Sequence, residues 1–158
     1  MTTYTINDFK KDQDAFNIVS GQASKTSYED IRNQLDLVKE EVFELDADVQ
    51  TLNFEGIVGE TVDVVFTILG LVQKLENKGI NMLKAMEIVA KANLSKFPAV
   101  YEDVKESEEF YKAKEIEVNI SYNDLYEVYV IKDENDKVRK SVNFVKADVS
   151  SCVPEELK

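Results

Sequence analysis

Residues 56–73 read GIVGETVDVVFTILGLVQ and form the most apolar long segment of the chain. Apolar side chains lie on nearly every side of it, which is typical of a helix that is buried on nearly every side. Glu60 and Asp63 are the only charged residues within the segment. Their spacing of three residues puts both carboxylates on one helical face, which Thr67 and Gly70 continue. Because an ionised carboxylate in apolar surroundings is costly unless it is paired, hydrogen-bonded or bound to a metal, we expect a cation at this face.

A longer helix is predicted just before this segment, from Tyr28 to about Leu52. Apolar side chains recur there at steps of four and three residues, the spacing of one helical face in a core: Ile31, Leu35, Val38, Val42, Leu45, Val49 and Leu52. Four polar side chains flank that face, namely Gln34, Glu41, Glu44 and Asp48. Asn53 and Gly56 predict a tight reversal at about residues 53–56, so the two helices should pack as an antiparallel hairpin. Carboxylates from both helices would then converge.

The rest of the chain predicts a mainly α fold. A first helix, capped by Thr5 or Asn7, should run to about Ser20 with Phe9, Phe16 and Val19 as its inward side. Residues 82–96 predict a fourth helix, and residues 99–115 contain another. Residues 117–122 and 126–131 alternate as β strands do, and a turn at 133–136 precedes residues 138–142, so a hairpin or a three-stranded appendage is expected. We therefore expect an antiparallel bundle of four to five helices with a small C-terminal antiparallel β appendage. Residues 1–158 are predicted to be one domain, with a helical core at 1–98 and a β extension at 116–148.

Composition argues against several classes of protein. The net charge of −12, from 31 acidic and 19 basic residues, makes nucleic acid an unexpected partner. The chain has no histidine and one cysteine, Cys152, which excludes histidine-based nucleophilic catalysis and zinc sites built from imidazole or several thiolates. A metal would therefore need oxygen ligands, and a reducing, cytoplasmic location fits. Because the first residues lack a signal-peptide layout and Glu60 and Asp63 interrupt the longest apolar run, no export signal or membrane partner is expected.

The acidic residues form a two-part motif: Glu40-Glu41-x-x-Glu44, fifteen further residues (45–59), and Glu60-x-x-Asp63. Over about residues 9–98 the chain resembles the all-α nucleoside triphosphate pyrophosphohydrolase superfamily, whose signature is EExxE followed by ExxD. MazG, phosphoribosyl-ATP pyrophosphohydrolase, dCTP pyrophosphatase and the dimeric dUTPases belong to it. The resemblance implies a hydrolase that converts a nucleoside triphosphate or deoxynucleoside triphosphate, standard or modified, to the monophosphate and pyrophosphate. Residues 118–148 also look like the C-terminal extension of some stand-alone members.

The same resemblance implies roles for individual acids. Mg²⁺, with Mn²⁺ as a substitute, would be the cofactor, and its ligands would be Glu41, Glu44, Glu60 and Asp63. Glu40 would be an accessory acid of the motif. Either Glu41 or Glu44 would take the proton from the water that attacks the α-phosphorus.

Substrate contacts are expected from a second set of residues. Asn93 and Lys96 match positions that contact the nucleotide in relatives. Gln22 and Gln34 could read a base edge, because an amide offers both a donor and an acceptor, although a surface amide or a helix-end hydrogen bond is the alternative role. Three aromatic side chains could stack on a base or simply fill a core: Phe16, Tyr122 and Phe144.

Other interpretations stay open at this stage. Glu60 and Asp63 could pair with a lysine or arginine as a purely structural ion pair. The protein could be a non-catalytic acidic helical protein that binds divalent ions or mimics the charge of a nucleic acid. It could also hydrolyse phosphoribosyl-ATP on the same scaffold. A homodimer or homotetramer is expected in each case, because the helix at residues 56–73 would otherwise expose an apolar face.

Overall fold

The computed structural model describes residues 3–158, and this part of the chain is mainly helical with a small C-terminal sheet, as predicted. The helices are α1 (Ile6–Val19), α2 (Tyr28–Thr51), α3 (Phe54–Glu76), α4 (Met82–Leu94) and α5 (Tyr101–Lys112). Two strands follow, β1 (Val118–Asn123) and β2 (Val128–Asp133), and then two short 3₁₀ turns, Ser150–Cys152 and Glu155–Leu157. No helix among residues 3–158 has the length and apolar character needed to cross a membrane.

The chain groups into two compact units. One comprises the described chain up to Met82 together with Val153–Lys158, and the other is Leu83–Cys152. The first unit contains α1, α2 and α3, and therefore both halves of the acidic motif. That residues 1–158 form a single domain stays a prediction.

Local signals place the helix ends of the first unit. The side chains of Thr5 and Ser27 each accept a hydrogen bond from the backbone three residues later, and each forms a capping box with an aspartate, Asp8 for α1 and Asp30 for α2. A capping box satisfies backbone donors that the first turn of a helix leaves free. Thr5, not Asn7, is thus the cap of α1.

The reversal between α2 and α3 is tight. Leu52 adopts a left-handed conformation with φ of 55°, and Asn53 caps α3 by accepting from the Gly56 amide at 3.3 Å. A Cβ on Gly56 would overlap the Asp48 carboxylate and the Asn53 amide, so a larger residue here would displace both side chains from the turn. The predicted antiparallel hairpin is therefore confirmed, with its turn at residues 52–53.

Burial in the first unit differs from the expectation that the apolar stripe of α2 is core. Leu52 is 70% exposed, and Leu35, Val42 and Val49 are also exposed in the single chain. Helix α3 likewise exposes Val58, Val62, Val65 and Ile68. Regular spacing identifies the apolar face of a helix, but three helices do not supply enough neighbours to cover such faces on both α2 and α3.

Polar side chains fill much of the contact between α1 and α3. Asn17 Nδ2 donates to Gln73 Oε1 at 2.7 Å, and Gln73 Nε2 donates to Asp14 Oδ1 at 2.8 Å. Phe66 packs edge-on against two rings of α1, Phe9 and Phe16, with ring centroids 5.7 and 5.4 Å apart. Lys74 holds the loop between α1 and α2, because its Nζ donates to the carbonyls of Gln22 and Lys25 at 3.3 and 3.2 Å.

The second unit packs α5 against a two-stranded antiparallel hairpin. Val118 pairs with Asp133 and Asn123 with Val128. Of the hairpin and the three-stranded appendage that the sequence left open, the hairpin forms, since Val138 makes only an isolated bridge to Lys132.

The Arg139 amide still donates to the Ile131 carbonyl of β2 at 2.7 Å, but the backbone from Lys140 onward bonds to α5 instead. Tyr111 Oη donates to the Lys140 carbonyl at 2.8 Å, and the Val142 amide donates to Ser107 Oγ at 3.0 Å. Side chains of α5 thus take the hydrogen bonds that would extend the sheet.

Candidate metal centre

Three carboxylates from the two helices of the hairpin meet at one point. Glu41 of α2 and Glu60 and Asp63 of α3 each offer one oxygen, and these oxygens all lie within 4.8 Å of one another. Glu41 and Glu60 are half-buried and Asp63 is exposed. The convergence follows from the reversal at Leu52 and Asn53, which turns the acidic flank of α2 toward the acidic face of α3.

Burial and mutual repulsion raise the pKa values of two carboxylates in this cluster. Burial raises the pKa of Glu41 above its ordinary value, and the negative charges of Asp63, Glu44, Glu60 and Glu40 raise it further. Burial is also the main cause that raises the pKa of Glu60, followed by the charges of Glu44, Asp63 and Asp48, while a hydrogen bond with Glu41 offsets part of the rise. Like charges at close range disfavour the ionised form in this way.

Glu44 and Glu40 differ in how strongly their charges act on the carboxylates of the cluster. Glu44 does not belong to the group of three ligand oxygens, yet its charge has the largest charge effect on Glu60. Glu40 is exposed, and its charge is the last and smallest contribution at Glu41. Asp48, which accepts from Asn53 Nδ2 at 2.8 Å, adds a further negative charge near Glu60.

No salt bridge within residues 3–158 involves Glu41, Glu44, Glu60 or Asp63. One Glu60 oxygen, Oε2, is buried and has no hydrogen-bond partner there. The structural ion pair with a lysine or arginine is therefore wrong for this part of the chain. A buried, unpartnered carboxylate oxygen beside two further carboxylates fits a hard divalent cation, which prefers oxygen ligands.

The amides that were predicted to contact substrate lie in a cavity of the same unit. This cavity, of about 450 Å³, is bounded by α1, α2, α3 and the loop between α1 and α2, and both Gln22 and Gln34 line it. Gln34 is buried and donates from Nε2 to the Thr67 carbonyl at 3.0 Å. Phe16 lines the cavity with a ring that is 57% exposed, while Val19 is 89% exposed and is not inward as predicted.

Two further amides of this cavity were missed by sequence reasoning. Gln13 and Asn17, at 1% and 4% exposure, are the most buried side chains of α1, and both line the cavity. The available signal was their spacing of four residues on the same helical face as Phe9 and Phe16. It was missed because the search for an inward face considered apolar residues only.

The remaining predicted contacts belong to the second unit. Lys96 Nζ donates to Asn93 Oδ1 at 2.7 Å, so these two side chains are paired with each other. Tyr122 packs against Tyr129 with ring centroids 4.8 Å apart, and Lys140 lies 4.3 Å above the Phe144 ring. Their nucleotide contacts stay predictions.

Searches of protein-family models, curated proteins and solved structures found no match to this chain. The resemblance described above therefore depends on the EExxE and ExxD motifs alone. Function has to be inferred from the chemistry of the site.

Proposed function

We propose that this protein is a divalent-metal-dependent nucleoside triphosphate pyrophosphohydrolase that acts in the cytoplasm. The observation that carries this proposal is the convergence of Glu41, Glu60 and Asp63 within 4.8 Å, with no lysine or arginine paired to them in residues 3–158. These residues come from the two halves of the motif that resembles EExxE and ExxD. Their separation in the chain and meeting in space support a common role.

The chemistry assigns a task to each acid. Glu41, Glu60 and Asp63 would hold the ion, which is Mg²⁺ in this proposal with Mn²⁺ as a substitute. When bound, it would offset the charge of the triphosphate and make a water more acidic. Glu44 lies outside the group of three oxygens and so retains a carboxylate that can accept the proton of the attacking water. Glu40 would add to the negative field as an accessory acid.

The proposed reaction is a single displacement. Water attacks the α-phosphorus, the bond from that phosphorus to the oxygen bridging the β-phosphate breaks, and pyrophosphate leaves with the bonding electrons. Glu44 accepts one proton from the water, and the nucleoside monophosphate is the second product. No covalent nucleophile is required, which suits a chain without histidine.

A product analysis tests this proposal. Protein with Mg²⁺ should release pyrophosphate, and not orthophosphate, from at least one nucleotide in a panel of ribo- and deoxyribonucleoside triphosphates that also contains phosphoribosyl-ATP. Glu60→Gln should abolish release while leaving the helical circular dichroism intact, because it removes a ligand charge at nearly constant volume. Glu55→Gln is the matched control, since Glu55 is an exposed acid in the first turn of the same helix. Orthophosphate as the first product would contradict the reaction type.

The second candidate is a non-catalytic divalent-ion binder, which the same three oxygens also support. Mg²⁺ would then raise the thermal midpoint of the wild type but not of Glu60→Gln, and no nucleotide would be turned over. Mimicry of nucleic-acid charge is less well supported, since it would place acids outside and gives no reason for the buried Glu60 oxygen.

We further propose that the protein assembles as a homodimer or homotetramer through the apolar faces of α2 and α3. Val42 and Val49 on α2 and Val58 and Val62 on α3 are all at least 46% exposed in the single chain. A contiguous apolar surface on adjacent helices is commonly an association site. A second copy offers the same apolar surfaces in return, as a symmetric interface requires.

A further inference from the structure

The cavity between α1, α2 and α3 contains polar groups that the fold itself leaves unsatisfied. Gln13 is 1% exposed and lines the cavity, yet its Oε1 has no hydrogen-bond partner among residues 3–158. A buried carboxamide without a partner is destabilising, so its presence requires a reason beyond packing. Gln34, on the opposite helix, uses Nε2 to bond Thr67 and lines the same space.

The charged groups of the cavity are mostly committed elsewhere. The Lys74 ammonium bonds the carbonyls of Gln22 and Lys25, and the Asp30 carboxylate bonds Ser27 in its capping box. What remains for a ligand is a set of neutral amides together with the exposed Lys25 side chain. The buried amides suit a neutral polar ring, whereas one exposed lysine offers a phosphate only a single cation.

An aromatic wall completes this arrangement. The exposed Phe16 ring lines the cavity together with Phe66, and the two rings pack edge-on with centroids 5.4 Å apart. A ring held in this way offers a flat face on which a planar ligand can stack. Flat apolar surface next to amide groups is the combination that recognises a heterocycle by face and by edge.

The cavity lies along the same helical faces as the carboxylates. Gln34 precedes Glu41 by seven residues on α2, which is two turns or about 10 Å. Thr67 follows Asp63 by four residues on α3, which is about 6 Å. Along the helix axes the cavity is thus about 6–10 Å from the carboxylates, a separation that the sugar of a nucleotide can span.

We propose that this cavity binds the nucleobase of the substrate, and that the carboxamides of Gln13 and Gln34 read its hydrogen-bonding edge while Phe16 stacks on its face. This assignment rests on the proposed function, because it takes the ligand of the cavity to be part of a nucleotide. The ligand class is a base whose edge places a donor next to an acceptor, because each carboxamide offers the complementary pair.

Gly70 sets the position of both amides. A Cβ at this residue would lie 2.8 Å from Gln34 Nε2 and 3.1 Å from Gln13 Nε2. Only a glycine lets the two carboxamides approach the α3 backbone this closely. Gly70 is therefore a positioning residue for base recognition, at a distance from the carboxylates.

Base selectivity is the first test. We expect Gln13→Leu to lower the ratio of kcat/KM between the preferred and the other nucleotides by about tenfold or more, because leucine keeps the volume and removes the hydrogen bonds. Gln50→Leu is the matched control, since Gln50 is an exposed glutamine of α2 outside the cavity.

Binding without phosphates is the second test, and it is independent of turnover. Free nucleosides titrated into the wild type with EDTA present should shift the side-chain amide NMR signals of Gln13 and Gln34, and the Gln50 signals should stay in place. Shifts in protein that releases no pyrophosphate would support the base site and contradict the hydrolase. The opposite result is turnover that depends on the metal and on Glu60 while the amide signals do not shift or the selectivity of Gln13→Leu is unchanged. That result would contradict the base site and would still support the hydrolase.

Discussion

Glu60 lies in the most apolar helix of the chain. One of its carboxylate oxygens is buried and has no hydrogen-bond partner among the described residues. Glu41 and Asp63 add like charge beside it, and burial together with that charge raises the pKa values of Glu41 and Glu60. Such an arrangement opposes folding as long as the carboxylates are ionised and no cation is bound. This loss of folding free energy is expected of a site whose carboxylates are held in place for an ion.

A pH dependence follows from this repulsion. Between the ordinary value of 4.5 and the raised pKa of Glu60, the folded state binds more protons than the unfolded state, so this group makes folding less favourable as pH rises. Glu60→Gln resembles the protonated acid and should match the wild type below about pH 4.5 in EDTA. Above that pH its thermal midpoint should exceed that of the wild type by a margin that grows and then levels off.

Thermal unfolding of both proteins in EDTA across this pH range measures the difference between their midpoints. The titration of aspartates outside the cluster affects both proteins alike and cancels in this comparison. Mg²⁺ at about pH 8 should then raise the midpoint of the wild type alone. A midpoint of Glu60→Gln below that of the wild type at neutral pH without metal would contradict the interpretation.

At the scale of elements, α3 has two sides with different requirements. Its Gly70 lies under the amides of Gln13 and Gln34, whereas a Cβ on Gly59 would meet nothing within 4 Å. The two glycines are in the same helix, so backbone propensity acts on both alike. Their difference isolates the effect of close packing.

Alanine at each glycine should therefore have opposite effects. Gly59→Ala should raise the free energy of unfolding by about 0.5–1 kcal/mol, because alanine loses less backbone entropy in a helix. Gly70→Ala should lower it by about 1–3 kcal/mol, because the new methyl group displaces two buried amides. Urea denaturation measures both changes, and an equal gain in stability for the two variants would show that the amides do not pack on α3 as described.

The hairpin of α2 and α3 could be predicted from the sequence, because its determinants are local. Ser27 and Asp30, three residues apart, define the start of α2, and Asn53 caps α3 after the left-handed Leu52. The convergence of Glu41 with Glu60 and Asp63 then follows from helical spacing. Their roles as ligands stay predictions.

Other features depend on contacts that spacing does not encode. The inward side of α1 is occupied by Gln13 and Asn17, which share a helical face with Phe9 and Phe16 but are polar, so a search for apolar residues alone does not find them. The partner of Asn17, Gln73, lies on α3, far along the chain.

A third strand does not follow β2, because Tyr111 and Ser107 bond to the backbone that would form it. Alternating sequence predicts a capacity for sheet pairing, but tertiary contacts decide whether it is used.

At the scale of the whole molecule, few large apolar side chains are buried for a chain of 158 residues. The buried apolar residues among those described are Val72, Ala92, Val104, Tyr111, Ile131 and Cys152. Many valines, leucines and isoleucines of α2 and α3 are exposed instead. A chain of this length ordinarily buries more, so association between copies is the expected remedy.

A charge placed on the exposed face should therefore prevent assembly. Val62→Asp on α3 is expected to lower the mass measured by size-exclusion chromatography with light scattering to that of one chain, 18.0 kDa, because an aspartate cannot be buried in an apolar interface without a partner. Val19→Asp is the control, since Val19 is 89% exposed at the end of α1. A wild type that already elutes as one chain, or an assembled Val62→Asp, would contradict this prediction.

The Lys74 ammonium ties the segment between α1 and α2 to α3 through the carbonyls of Gln22 and Lys25. Any sliding of α3 along its axis would therefore move the rim of the cavity and the two acids of α3 as one rigid piece. A ligand that selects one axial position of α3 would favour the same position for the ion, and thermodynamic reciprocity makes each strengthen the other by an equal factor. Severing the tether with Lys74→Met should uncouple them, so that nucleoside affinity no longer changes with added Mg²⁺.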